Sequence, residues 1–213
     1  MTTSMTWLAA LATVAILLLY EAALAIAQLR HPERLARAAH ATLREEWFAA
    51  VSQQKGSEIL AVQTLRNSIM SATMTASTAV LGLMGTVTLA APSLQAGFSG
   101  ATSGAPNFTA RLALELVLMA LLFASLVSSA MALRYYNLTS FICGMPIDSD
   151  ARKRWENAGT VYVRRAGLLY SWGLRHLVLV APVIASILHP AAGPIAAVIV
   201  VAVLFGFDRV GAS

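Results

Sequence analysis

Ionisable side chains interrupt the apolar stretches of this 213-residue chain, and they are the residues best suited to chemistry. Charged groups inside membrane-spanning helices are costly, so they are usually paired or functional. Together with two asparagines they predict a buried polar layer in the inner half of a helix bundle. The members of this layer are Glu21, Arg66, Asn67, Arg134, Asn137, Arg175, His176 and Asp208. We expect Glu21 and Asp208 to be counter-ions for arginines.

Simpler interpretations of the same residues stay open. Arg66 and Arg134 lie near the ends of their segments, where arginine side chains reach the lipid headgroups or fix helix register through ion pairs. Arg175 lies ten residues into its segment, and this depth favours a functional or tightly paired role. A histidine such as His176 is more often a hydrogen-bonded core residue than a ligand.

The sequence shows no pattern of a metal site or of a soluble enzyme. The four histidines have no HxxH or HxxE spacing, and the single cysteine, Cys143, excludes an internal disulfide. There is no P-loop, no GxSxG and no HExxH. We therefore expect neither a cofactor nor an enzymatic activity.

A second pattern is a stripe of small residues, which recurs at steps of three and four. It comprises Ser68, Ser71, Thr75, Thr78 and Gly82. Small residues let helix backbones approach closely, and hydroxyls can bond across helices. The stripe predicts either tight packing, inside the bundle or at a subunit interface, or a pore-lining face, and both interpretations make this segment central to the bundle. Separately, Arg111 and Glu115 are spaced for an ion pair on one helix face.

The elements that position these residues are membrane helices. Of the chain, 58% is hydrophobic and 12% is charged, against roughly 25% charged in soluble domains. We predict an all-α membrane bundle formed by the whole chain as a single domain. Its transmembrane segments cover about 6–29, 59–91, 108–143, 166–188 and 192–208, and an amphipathic interfacial helix covers about 33–55. Residues 92–107 form a loop, and the last two segments could instead be a re-entrant hairpin.

The distribution of charge predicts the orientation. The net charge is +5, and nearly all Lys and Arg residues lie in or beside stretches 30–58 and 144–165 and the C-terminus. The positive-inside rule then places the N-terminus outside and the C-terminus in the cytoplasm, in the cytoplasmic (inner) membrane. The basic residues are expected to bind anionic headgroups rather than nucleic acid.

Four runs resemble the DUF599 family of uncharacterised membrane proteins. They are GSEILAVQTLRNSIMSATMTASTAVLGLMG at 56–85, LRYYNLTSFICG at 133–144, GLRHLVLVAP at 173–182 and LFGFD at 204–208. The resemblance implies a multi-pass membrane protein and supplies no reaction. The resemblance singles out residues of the predicted polar layer that fall within these motifs, namely Arg66, Asn67, Arg134, Asn137, Arg175 and Asp208.

The leading functional hypothesis is an oligomeric channel-like or transport protein that favours anions. Five helices do not easily enclose a wide path, so a pore would form in a symmetric homo-oligomer. A second hypothesis is a non-transporting accessory subunit, in which the polar layer fixes packing and the amphipathic helix docks a partner. A third and weaker one is a lipid-acting enzyme, which requires Glu21, Arg175 and His176 to converge on one headgroup-sized cavity.

Overall fold

The computed structural model describes residues 3–30, 36–99 and 108–208, and in these ranges the chain is helical with short connections. The helices are α1 (Thr3–Arg30), α2 (Ala36–Gln53), α3 (Glu58–Ser99), α4 (Ala110–Cys143), α5 (Asp150–Leu188) and α6 (Ala192–Asp208). This confirms the predicted all-α membrane bundle.

Four of the described helices are long and apolar enough to cross a bilayer, namely α1, α3, α4 and α5. At 1.5 Å per residue, α3 is about 63 Å long and α5 about 58 Å, roughly twice the thickness of a hydrocarbon core. The fifth predicted segment, α6, is a shorter apolar helix of 17 residues. Large apolar side chains such as Leu81, Phe123 and Ile199 are exposed on the bundle surface, where lipid would cover them.

The helices run alternately between two ends of the bundle. At one end the Trp7 ring stacks on Phe108, with ring centroids 5.8 Å apart. At the other end Lys55 contacts Asp148 at 2.6 Å. We call the second the α2 end, because it carries α2, and the first the opposite end. From its start at Ala192, near the opposite end, α6 runs back toward the α2 end for about 25 Å.

Helix α2 lies along the first half of α5 and antiparallel to it. Phe48 packs against Gly159, and farther along α2 the Ser52 hydroxyl accepts a hydrogen bond of 3.0 Å from Arg152. The buried face of α2 comprises Arg37, Ala41, Phe48 and Ser52, so this amphipathic helix packs against protein. The first three residues of its predicted range, 33–35, lie outside the described part of the chain.

Two helix boundaries differ from the prediction. Helix α3 continues through Pro92 to Ser99, so the proline does not end it, and the rest of the predicted loop, 100–107, lies outside the described residues. Helix α5 begins at Asp150 rather than near 166. The Ser149 hydroxyl caps it by accepting a hydrogen bond from the Arg152 backbone N–H at 3.2 Å. Packing against α2 keeps the polar first half of α5 helical.

The core has two apolar clusters along the α4–α5 pair. One surrounds Leu122 and Leu179, and the other, toward the α2 end, surrounds Phe48 and Val163. Helix α3 packs mainly on α4 and lies at the edge of the bundle. The expectation that this helix is central is therefore wrong for the single chain.

Candidate functional site

Arg175 joins three helices through its side chain, which is only 5% exposed. Its Nη2 contacts both carboxylate oxygens of Asp208, the last residue of α6, with 2.6 Å to Oδ2. Its Nη1 lies 3.4 Å from Oε1 of Glu21 on α1. The two acids expected to be counter-ions therefore meet the same arginine, and this arrangement ties α1, α5 and α6 together.

The hydroxyl of Tyr20 completes this network, which we call the charge cluster (Tyr20, Glu21, Arg175 and Asp208). It donates a short hydrogen bond to Oδ2 of Asp208 and accepts one of 3.3 Å from Nη1 of Arg175. The guanidinium carbon also lies 5.4 Å from the centroid of the Tyr20 ring. Charge-assisted hydrogen bonds of this kind are roughly twice as strong as neutral ones.

Helix geometry explains why these side chains meet. Side chains lean toward the N-terminus of their own helix, so Arg175 extends toward the α2 end, where α6 stops at Asp208. On the far side of α5, Gly173 lets α4 approach. Its carbonyl accepts a hydrogen bond of 2.7 Å from Ser125, and a Cβ there would collide with the hydroxyl of Ser129.

A second group of residues from α1, α2 and α5 adjoins the charge cluster. Arg37 is 8% exposed, and its guanidinium carbon lies 4.5 Å from the centroid of the Trp172 ring. Its Nη1 donates to Gln28 at 3.4 Å, whereas its Nη2 is buried without a hydrogen-bond partner among the described residues. Burial, and after it the charge of Arg175, lowers the pKa of Arg37 from its ordinary value.

A cavity of about 290 Å³ lies between α2, α5 and α6, next to this group, and we call it the α2–α6 cavity. Arg37, His40 and Arg44 line it from α2, and Arg175 and Asp208 line it from the other two helices. Three arginines thus face one carboxylate. The lining suits an anion, because arginine presents several donors in a fixed geometry and stays charged.

His176 does not join this cavity. Its ring stacks on Trp172 with centroids 5.6 Å apart, and its buried Nδ1 has no partner within the described residues. Glu21 contacts Arg175, but neither Glu21 nor His176 is among the residues that line the cavity. In the described ranges there is also no group of three His, Cys, Asp or Glu residues placed to hold a metal ion.

The other four residues of the predicted polar layer lie elsewhere. Arg66 and Asn67 on α3 and Arg134 and Asn137 on α4 are exposed. Gly173 of α5 packs beside Ser129, so the two α4 residues lie about 8–12 Å nearer the α2 end than that contact. The structure therefore gathers Glu21, Arg175 and Asp208 into one cluster and leaves these four on the surface.

The small-residue stripe of α3 divides between packing and exposed positions. Thr75 is buried, and a Cβ at Gly82 would lie 3.0 Å from Leu122, so these two residues pack against α4. Ser68 is half-buried, while Ser71 and Thr78 are exposed. All four hydroxyls donate to the carbonyl four residues earlier in α3, at 2.9–3.3 Å, rather than to another helix.

At the opposite end, Arg111 and Glu115 form the expected pair. The Arg111 Nε lies 2.9 Å from Oε1 of Glu115. Arg111 is largely exposed, whereas Glu115 is buried, and its other carboxylate oxygen has no partner in the described part of the chain. The pair lies far from the charge cluster and lines a cavity between α3, α4 and α5.

Sequence reasoning missed several residues of the site, above all Tyr20, Arg37 and Arg44. From the sequence, Arg37 and Arg44 indicate only positive charge beside the membrane. The sequence offers one signal that Arg37 is buried, because helical spacing places it on the same face of α2 as Ala41 and Phe48. Arg152 was also missed. It is buried and donates to the Ile142 carbonyl and to Ser52, which joins α2, α4 and α5.

The fold and the site together define a multi-pass helical membrane protein with a buried charge cluster beside a basic cavity. The family model described as "Protein of unknown function, DUF599" matches residues 8–213, so the chain belongs to this family. Comparison with curated proteins and with solved structures finds no match.

Proposed function

We propose that this protein passes small anions across the cytoplasmic membrane, as a channel-like or transport protein. The observation that carries the proposal is the position of Arg175, which is buried among transmembrane helices and at the same time lines the α2–α6 cavity. Paired ionisable residues inside membrane bundles often mark the pathways of ions and substrates.

The charge cluster supplies a gate in this proposal. At rest Asp208 and Glu21 neutralise Arg175. An anion that enters the α2–α6 cavity competes with Asp208 for the guanidinium. Because Asp208 is the last residue of α6, its release frees that helix end to move. Exchange of one anionic partner for another avoids leaving a buried arginine unpaired, which would be costly.

The orientation and assembly belong to the same proposal. The α2 end faces the cytoplasm and the N-terminus lies outside, as the positions of the basic residues favour. The protein acts as a homo-oligomer, in which the exposed side of α3, with Ser71 and Thr78, packs against another subunit. Cysteines introduced singly at Thr3 and at Asp148 in a Cys143→Ser background test the orientation. A membrane-impermeant maleimide added to intact cells should label only the cysteine at position 3, and labelling of only the other position would reverse the orientation.

Transport is tested in liposomes loaded with an anion-sensitive dye. The wild-type protein should increase chloride or nitrate flux over protein-free liposomes, and Arg175→Ala should abolish the increase. Arg66→Ala is the matched control, because Arg66 is exposed and distant from the charge cluster. The transport proposal is refuted if wild-type flux stays at background level for all anions tested, over a range of pH.

One observation favours a second function, that of an accessory subunit. Arg66, Asn67, Arg134 and Asn137 are exposed on α3 and α4, where they offer polar groups to a partner. Purification in a mild detergent separates the two functions. A foreign protein at stoichiometric amounts, lost on Arg134→Ala, supports the accessory subunit, whereas a homo-oligomer alone supports transport.

A further inference from the structure

One arginine that lines the α2–α6 cavity has a hydrogen-bond donor without a partner in the described part of the chain. Nη2 of Arg37 is buried and unpaired among the described residues, although the arginine is more than nine-tenths buried. A buried charged donor without an acceptor is expensive, so this group calls for an acceptor from outside the described residues, such as a bound anion or water. Trp172 and Gln28 hold the guanidinium in place, so the unpaired donor has a defined position.

Among the described residues, the charged groups around the cavity leave an excess of positive charge. Arg175 and Arg37 together offset Asp208 and Glu21. Arg44 adds a further positive charge, and it donates to the backbone carbonyl of His40 at 3.2 Å instead of to a carboxylate. A ligand with one negative charge would complete this balance.

The remaining residues that line the cavity restrict the size and the polarity of the ligand. Tyr170 and Ser171 add hydroxyl groups beside Arg37 and Arg44. The volume of about 290 Å³ has room for a tetrahedral oxyanion and a small substituent. Leu204 and Phe207 line the side formed by α6, and Phe207 is 77% exposed there, so a hydrocarbon substituent could pass toward the lipid.

We propose that the α2–α6 cavity binds a phosphate group, through Arg37 and Arg44, with the hydroxyls of Tyr170 and Ser171 as additional donors. Planar guanidinium groups match phosphate oxygens bidentately, and this match distinguishes phosphate from a halide ion. The phosphate is either free in solution or carried by the headgroup of an anionic lipid. The inference rests on the proposed function, because both take the ligand to be an anion. Phosphate binding can nevertheless be measured without measuring transport.

The test uses the full chain in nanodiscs of pure phosphatidylcholine. Inorganic phosphate is titrated by calorimetry against a background of chloride at constant ionic strength. Wild-type protein should bind phosphate, and Arg37→Gln and Arg44→Gln should each weaken binding by about tenfold or more, as loss of a charge-assisted hydrogen bond predicts. Arg134→Gln, at an exposed arginine, should bind like the wild type. Because Arg44 is only half-buried, its variant keeps the test valid if Arg37→Gln does not fold.

A second arm replaces a fifth of the lipid with phosphatidic acid and counts retained lipids by native mass spectrometry. Retention that is lost in Arg44→Gln but kept in Arg134→Gln supports the lipid headgroup as the source, whereas phosphate binding in the first arm supports the soluble anion. Absence of binding in both arms, or equal binding by wild type and both cavity variants, overturns the inference. Phosphate binding without flux in liposomes would leave the inference standing and remove the transport function.

Discussion

Replacing Asp208 with asparagine tests whether the charge cluster holds the bundle together. The substitution keeps the shape of the side chain and removes its charge. Of its counter-ions among the described residues, Arg175 then keeps Glu21, at 3.4 Å, while its own side chain is 5% exposed. Removing one partner of a buried ion pair typically costs 3–5 kcal/mol. Since Glu21 still supplies a counter-ion, we expect a loss at the lower end, about 3 kcal/mol.

This loss is large enough to measure by thermal unfolding in nanodiscs, followed by the fluorescence of the four tryptophans. For a chain of this size, each kcal/mol shifts Tm by about 2–4 °C, so Asp208→Asn should lower Tm by roughly 6–12 °C. Asp148→Asn is the matched control. It makes the same substitution in the Lys55–Asp148 pair, in which both side chains are more than 70% exposed, and it should leave Tm unchanged.

A double variant tests whether the loss of stability in Asp208→Asn comes from the incompletely paired arginine. In Arg175→Met with Asp208→Leu both charges are removed, and no unpaired arginine remains. The double variant should therefore be more stable than Asp208→Asn alone. If Asp208→Asn changes Tm no more than Asp148→Asn does, the claim that the charge cluster stabilises the bundle as a buried ion pair is refuted.

Three further substitutions follow from the described contacts, each read as Tm in the same nanodiscs. Tyr20→Phe removes the hydroxyl between Asp208 and the arginine, and should cost about 1 kcal/mol, or roughly 2–4 °C. Arg152→Met removes the buried hydrogen bonds to the Ile142 carbonyl and the Ser52 hydroxyl, and should cost about 1–3 kcal/mol. Gly159→Ala places a Cβ in collision with Cζ at the tip of the Phe48 ring, and overpacking of this kind typically costs 1–3 kcal/mol.

Matched controls accompany the last two substitutions. Arg154→Met alters an exposed arginine two residues from Arg152 and should not change Tm. Gly85→Ala adds a Cβ where nothing lies within 4 Å, and should be neutral or slightly stabilising. If Arg152→Met and Gly159→Ala both leave Tm unchanged, the packing of α2 on α5 is contradicted. A large loss in Gly85→Ala would instead indicate that another subunit covers α3.

The apolar segments could be predicted from the sequence. So could the ion pairing of Arg175, because an arginine deep in an apolar helix needs a counter-ion. The start of α5 was not accessible. Residues 150–165 are polar, and Arg152 and Gly159 pack them against α2, a contact that no local pattern encodes.

The site itself was only partly predictable, for a similar reason. Arg37 and Arg44 belong to the cavity because α2 lies along α5, and basic residues beside a membrane segment look the same whether they face headgroups or a cavity. The small residues of α3 were also ambiguous. They permit close approach to any neighbour, so they could not tell the centre of this bundle from its edge.

The length of α6 has a consequence for the membrane around it. At about 25 Å it is shorter than a typical hydrocarbon core of about 30 Å, and it stands beside α5, which is more than twice as long. Hydrophobic mismatch of this kind draws the adjacent leaflet toward the short helix. Thinner bilayers should therefore stabilise the protein, and thicker ones should strain the contact between Asp208 and Arg175. The thickness of the host membrane thus becomes a variable that acts directly on the charge cluster.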